Sequence, residues 1–93
     1  MLCSGEYNDY LKLIVLLYKL HEYNLSKNYT KEALHKYPNG AGLYFLLGVI
    51  EYKIGDKQDA LKHLAIGYQL SQDPQIANAY AMIKRNKRID LPI

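Results

Sequence analysis

The chain repeats itself. Shifted by thirty-four residues, Tyr10 falls on Tyr44, Leu13 on Leu47, Val15 on Val49, Tyr18 on Tyr52 and Lys19 on Lys53. Leu16 and Leu20 fall on Ile50 and Ile54, both conservative matches. A period of this length marks supersecondary units that cannot bury their apolar faces singly and therefore stack. The second copy is clearest over residues 40–70, GAGLYFLLGVIEYKIGDKQDALKHLAIGYQL. Tyr44, Leu47, Val49 and Tyr52 stand on one amphipathic helix, and Ala60, Leu61, Leu64 and Tyr68 on the next. Gly55-Asp56 separates them: Gly suits the left-handed residue that ends a helix, and Asp can cap the one that follows. Both helices are apolar on more than one face, so the hairpin needs neighbours.

Thirty-four residues is the tetratricopeptide (TPR) period, and the second copy resembles that family's pattern. Tyr44 stands at the aromatic position, Leu47-Gly48 at the L-G pair, and Ala60 at the small residue where the two helices cross. Leu64 and Gly67 stand at the bulky and second small positions of the second helix. In the first copy Tyr10, Leu13, Ala33 and Pro38 match, whereas Ile14 replaces the Gly and Ser26 the Ala. The expected fold is all-α: TPR-like antiparallel helical hairpins, two repeats plus a C-terminal capping helix, about five helices in one domain over residues 1–93. Repeat one spans about 5–38, repeat two about 39–72, the capping helix about 74–87, and a loose tail 88–93. An unrelated all-helical bundle is the alternative.

Local signals set the boundaries. Ser4 can cap a first helix over about residues 5–20, with Glu6 and Asp9 favourable in its opening turn. A turn at 22–24 leads to a second helix over about 25–37, with Leu25, Tyr29, Ala33 and Leu34 inward. Pro38-Asn39-Gly40 ends it. The third helix is expected over 41–54 and the fourth over 57–70. Asp73 as cap and Pro74 in the first turn begin a fifth over about 74–86, carrying Ile76, Tyr80 and Ile83 at helical spacing.

Residues 11–20 are apolar nearly all round, broken only by Lys12, Lys19 and the Tyr18 hydroxyl. A helix lying on one surface shows a single stripe; this one asks to be covered on at least two sides. The chain has 93 residues, 49% of them hydrophobic, so it is too apolar for disorder. It is also short enough to bury only about 60–65% of its unfolded surface, which leaves stability marginal. Two repeats and a cap therefore read as a structure completed by a partner.

Other totals narrow the classes. A net charge of +3 is slight and spread out, giving no reason to expect nucleic acid. The single cysteine, Cys3, excludes an internal disulfide. The N-terminal residues do not read as a secretory signal, and the longest apolar run, residues 13–17, is far too short to span a bilayer. A soluble cytoplasmic protein is expected.

In TPR folds the first helix of each repeat lines a concave groove. By position, the partner-helix groove here receives Leu11, Val15, Tyr18 and Lys19 from repeat one, with Asn8 beside them. Repeat two gives Phe45, Val49, Tyr52 and Lys53, with Gly42, and the cap gives Ile76, Ala79 and Ile83, with Lys87. The centre is apolar and aromatic and the edge is tyrosine and lysine, the composition of a specific protein interface. TPR modules that clamp a free C-terminal carboxylate use Lys and Asn inside the groove, and Leu11, Val15, Phe45 and Val49 exclude that. The fitting occupant is an amphipathic helix.

EYKIG (residues 51–55), SQDPQI (71–76) and the amphipathic last helix resemble the C-terminal half of the YscG-type chaperones of bacterial type III secretion. The resemblance covers about residues 38–84; repeat one is similar only in pattern. It implies a cytoplasmic chaperone that cradles the C-terminal amphipathic helix of the needle subunit and prevents premature polymerisation. It also implies a small helical co-chaperone packed on the N-terminal part, through Tyr10, Leu13, Ile14 and Leu17.

Catalytic signals are missing. His21, His35 and His63 have no metal-ligand spacing, Cys3 has no base near it in sequence, and phosphate loops and nucleophile elbows are absent. Glu51, Asp56 and Asp59 read as solvated charges or caps, and the cluster from Lys84 to Arg88 as a solvated helix end. No enzyme activity, cofactor or metal is expected. A TPR adaptor in another assembly, and a weak RNA-binding module using the basic cluster, remain as alternatives.

Overall fold

The computed structural model describes residues 6–85, which form five α-helices: α1 Glu6–Lys19, α2 Tyr23–Lys36, α3 Ala41–Ile54, α4 Lys57–Ser71 and α5 Pro74–Lys84. Successive helices pack as antiparallel hairpins, and α3, at the centre, also touches α1 and α5. The expected TPR-like all-α fold is the one observed. The Ser4 cap, Cys3, and residues 86–93 with Lys87 and Arg88 lie outside the described residues.

The two hairpin turns share one geometry. At the end of α3, Gly55 takes φ 107°, its N–H donates to the Tyr52 carbonyl, and the Asp56 N–H donates to the Glu51 carbonyl. At the end of α1, His21 takes φ 63°, with its N–H on the Tyr18 carbonyl and the Glu22 N–H on the Leu17 carbonyl. These are the paired bonds of a left-handed helix stop. His21 occupies the position of Gly55 in the repeat, and its ring holds the turn by pairing with the Tyr23 hydroxyl at 2.9 Å. That compact stop lets α2 begin at Tyr23, two residues ahead of the expected 25, and replaces the broader turn expected at 22–24. Asp73 caps α5 by accepting from the Gln75 N–H at 2.9 Å. Asp56 occupies the cap position of α4, but its side chain makes no capping bond.

Packing concentrates in two clusters. The first joins Tyr10, Ile14 and Tyr18 of α1 to Ala33 of α2 and to Leu43, Leu46, Val49 and Ile50 of α3. The second joins Ala60 and Leu64 of α4 to Ile76, Ala79 and Ile83 of α5. Phe45 packs against both. Helices α3 and α4 cross closely at Gly48, where a Cβ would lie 2.6 Å from the Leu64 Cγ and 3.1 Å from the Ala60 carbonyl oxygen. The equivalent crossing in repeat one holds Ile14 and Ser26, both buried. Ser26 Oγ donates to the Ile14 carbonyl at 2.9 Å, and Thr30 Oγ1 to the Ser26 carbonyl at 2.8 Å. The departure from the family pattern is thus accommodated, with each buried hydroxyl satisfied. Among the described residues, no helix is long and apolar enough to cross a membrane.

Candidate helix-binding surface

Among the described helices, α1 meets only α2 and α3. Its inward line is Tyr10, Ile14 and Tyr18, spaced four apart so that they stack on one face. Tyr10 Oη donates to Glu32 Oε2 of α2 at 2.8 Å, and Tyr18 lies against the Tyr23 ring. Tyr7 packs edge-on against Tyr37, and burial pushes its phenol pKa up although the Gly42 and Leu43 backbone groups pull the other way. The opposite side is bare: Leu16 is 53% exposed and Leu20 is 60% exposed. Leu11, Lys12, Val15, Leu16 and Lys19 line an open hollow of about 360 Å³ along this side. Leu11 and Val15 are half-buried at its edge, where they pack against the first core cluster.

The expected groove divides into two sets. Leu11, Val15, Phe45, Tyr52 and Lys53 are half-buried, and Lys19 and Asn8 are exposed. Tyr18, Val49, Ile76, Ala79 and Ile83 are instead part of the chain's own core. The reason is architectural. Helix α3, packed mainly between α2 and α4, contributes Val49 to the first cluster, while α5 turns its apolar line onto α4. The expected co-chaperone contacts split similarly: Tyr10 and Ile14 are buried against α2 and α3, and Leu13 and Leu17 are half-buried. Leu16 of α1, and Leu20 just beyond its end, both widely exposed, were in neither set. For Leu16 the repeat carried the signal. Leu16 is the counterpart of Ile50, which is fully buried under the α1–α2 hairpin, and α1 has no hairpin before it among the described residues.

Glu51 is not the solvated carboxylate that its sequence suggests. It is 1% exposed, with Oε1 paired to His63 Nδ1 of α4 at 2.6 Å and Oε2 3.8 Å from Lys27 Nζ of α2. One carboxylate thereby ties α2, α3 and α4 together. Asp56 and Asp59 bring carboxylate oxygens to within 4.8 Å of it, yet the Glu51 oxygens already serve His63 and Lys27. Both aspartates keep outward positions. His63 also stacks on Tyr44 at 6.1 Å.

A second open notch, of about 390 Å³, lies between α4 and α5 and is lined by Leu64, Ala65, Tyr68, Gln69, Ala77 and Tyr80. Its lining carries no charged side chain. The basic cluster begins at Lys84, whose carbonyl accepts from Lys57 Nζ at 3.4 Å, and Arg85 caps α5. Neither a protein-family model nor a curated protein sequence matches the chain.

Proposed function

We propose that this chain is a chaperone that holds an amphipathic helix of another protein against the bare side of α1. The observation that carries this reading is the open apolar surface of Leu16, and of Leu20 just beyond α1, beside a hollow that Leu11, Val15 and Leu16 line with Lys12 and Lys19, on a helix whose opposite face is already packed. Contiguous apolar surface of this kind marks interaction sites. A short stack of paired helices offers a helical partner a ready seat. Each large apolar side chain covered by the partner would contribute about 1.5–3 kcal/mol before the costs of association.

The resemblance to YscG-type chaperones makes the reading specific. The client is then the needle subunit of a type III secretion system, held through its C-terminal helix, with a small helical co-chaperone completing the assembly in the bacterial cytoplasm. Covering the surface through which subunits polymerise blocks polymerisation by mass action alone.

Co-expression with such a needle subunit tests this. The expected result is a soluble, stoichiometric complex and no filaments. Leu16→Asp should weaken the complex at least about tenfold, since it places a charge in the seat, while changing stability by less than about 0.5 kcal/mol because the site is open. Val49→Asp, in the core, should unfold the protein. Filaments forming at the same rate with and without the chain would contradict the proposal.

A further inference from the structure

The repeat shows what a helix seated on the outer side of α1 has to look like. On α3, the face formed by Leu43, Leu46 and Ile50 is buried beneath the α1–α2 hairpin. The thirty-four-residue shift carries that face onto Asp9, Lys12 and Leu16 of α1. The same face is a seat for helices within this chain, and on α1 it stands open. Asp9 and Lys12 replace its two buried leucines, and Leu16 keeps the apolar character of Ile50. Lys19 lies two turns further along the same side, about 10 Å from Lys12. Both lysines are exposed and both border the hollow formed with Leu11, Val15 and Leu16. Among the described residues no ion pair holds either of them. Asp9 offsets part of this charge at the N-terminal edge, so the positive half of the seat is the half around Leu16 and Lys19.

An apolar hollow in which two unpaired ammonium groups stand between the Leu11–Val15 line and Leu16 discriminates among helices. A helix flanked by lysines would bring like charges together over a surface being dried, whereas one flanked by carboxylates gains complementary contacts and a faster encounter. A second copy meeting this face with its own α1 would set lysine against lysine.

We propose that the α1 seat selects a partner helix whose apolar residues cover Leu11, Val15 and Leu16 and which sets acidic residues about seven apart opposite Lys12 and Lys19. The inference rests on the helix-binding reading and adds the charge of the client to it.

Two synthetic amphipathic helices of roughly eighteen residues test it, long enough to hold helical structure. They share one apolar stripe and differ only in flanks, glutamate in one and lysine in the other. Their affinities for the full chain are measured at low and at moderate salt. The glutamate-flanked helix should bind about tenfold tighter, as expected from two charge contacts exchanged for two repulsions. That advantage should shrink as salt rises. In Lys12→Glu/Lys19→Glu the order should reverse, and in Lys12→Gln/Lys19→Gln it should vanish; melting curves report whether each variant is folded. Equal binding of the two peptides to the wild-type chain overturns the charge selection and leaves helix binding standing. Binding of neither peptide overturns the helix-binding reading and this inference with it. Self-association abolished by Leu16→Asp would give the seat to a second copy, and would also overturn the inference.

Discussion

Among single residues, Glu51 carries the most consequence for stability. A carboxylate removed from water is tolerated only when its partners stay in place. Removing one partner leaves a buried charge under-compensated; removing the carboxylate and its partner together leaves an apolar contact. Repeat one supplies the control, since its residue at the equivalent position is Leu17. His63→Leu should therefore cost about 3 kcal/mol, and Glu51→Leu/His63→Leu together should be close to neutral. Chemical denaturation of the single and double variants measures this directly, and additive losses would show that the pair is not coupled. This residue was hard to read in sequence for a definite reason. A glutamate near a helix end, followed closely by Asp56 and Asp59, has the signature of a solvated surface. Nothing local reports that His63, twelve residues on, and Lys27, on a different hairpin, converge on it.

At the scale of the element, the crossing of α3 and α4 is the tightest joint. Gly48 has no room for a side chain against Leu64 and the Ala60 backbone, so Gly48→Ala should cost about 1–3 kcal/mol through overpacking despite the better helix propensity of alanine. The melting temperature of this variant checks it, and an unchanged or raised value would mean that the two helices separate without penalty. Helix positions were legible because their punctuation is chemical: Pro38-Asn39-Gly40, Gly55 and Asp73-Pro74 each fix a boundary through backbone geometry. The exception is the start of α2. It hinges on His21 adopting a left-handed conformation that sequence alone assigns to glycine. Helix α1 is the element where pattern and packing diverge most usefully. Its all-round apolar character led to an expectation of cover on at least two sides, and the described residues cover it on one, leaving Leu16 open. Which side that was followed from the neighbours of the helix, so Tyr10, Ile14 and Tyr18 went to the core and Leu16 and Leu20 to the surface.

For the whole molecule, two repeats and a cap make a stack with two unlike ends. The α4–α5 end carries an uncharged notch. The α1 end carries a hollow lined by Leu11, Val15 and Leu16 together with Lys12 and Lys19. Four residues of the expected groove, Val49, Ile76, Ala79 and Ile83, hold the helices to one another within the two core clusters. Of the expected lining, Leu11, Val15, Phe45 and Tyr52 stay half-buried, and on the outer side of α1 Leu16 stays open. The account therefore turns on location. Amide hydrogen exchange of the chain alone and in complex with a needle-subunit client reads it out helix by helix. The account predicts that protection gained on binding is largest along residues 11–20 of α1. Protection gained mainly in α4 and α5, with α1 exchanging as fast as in the free chain, would contradict it.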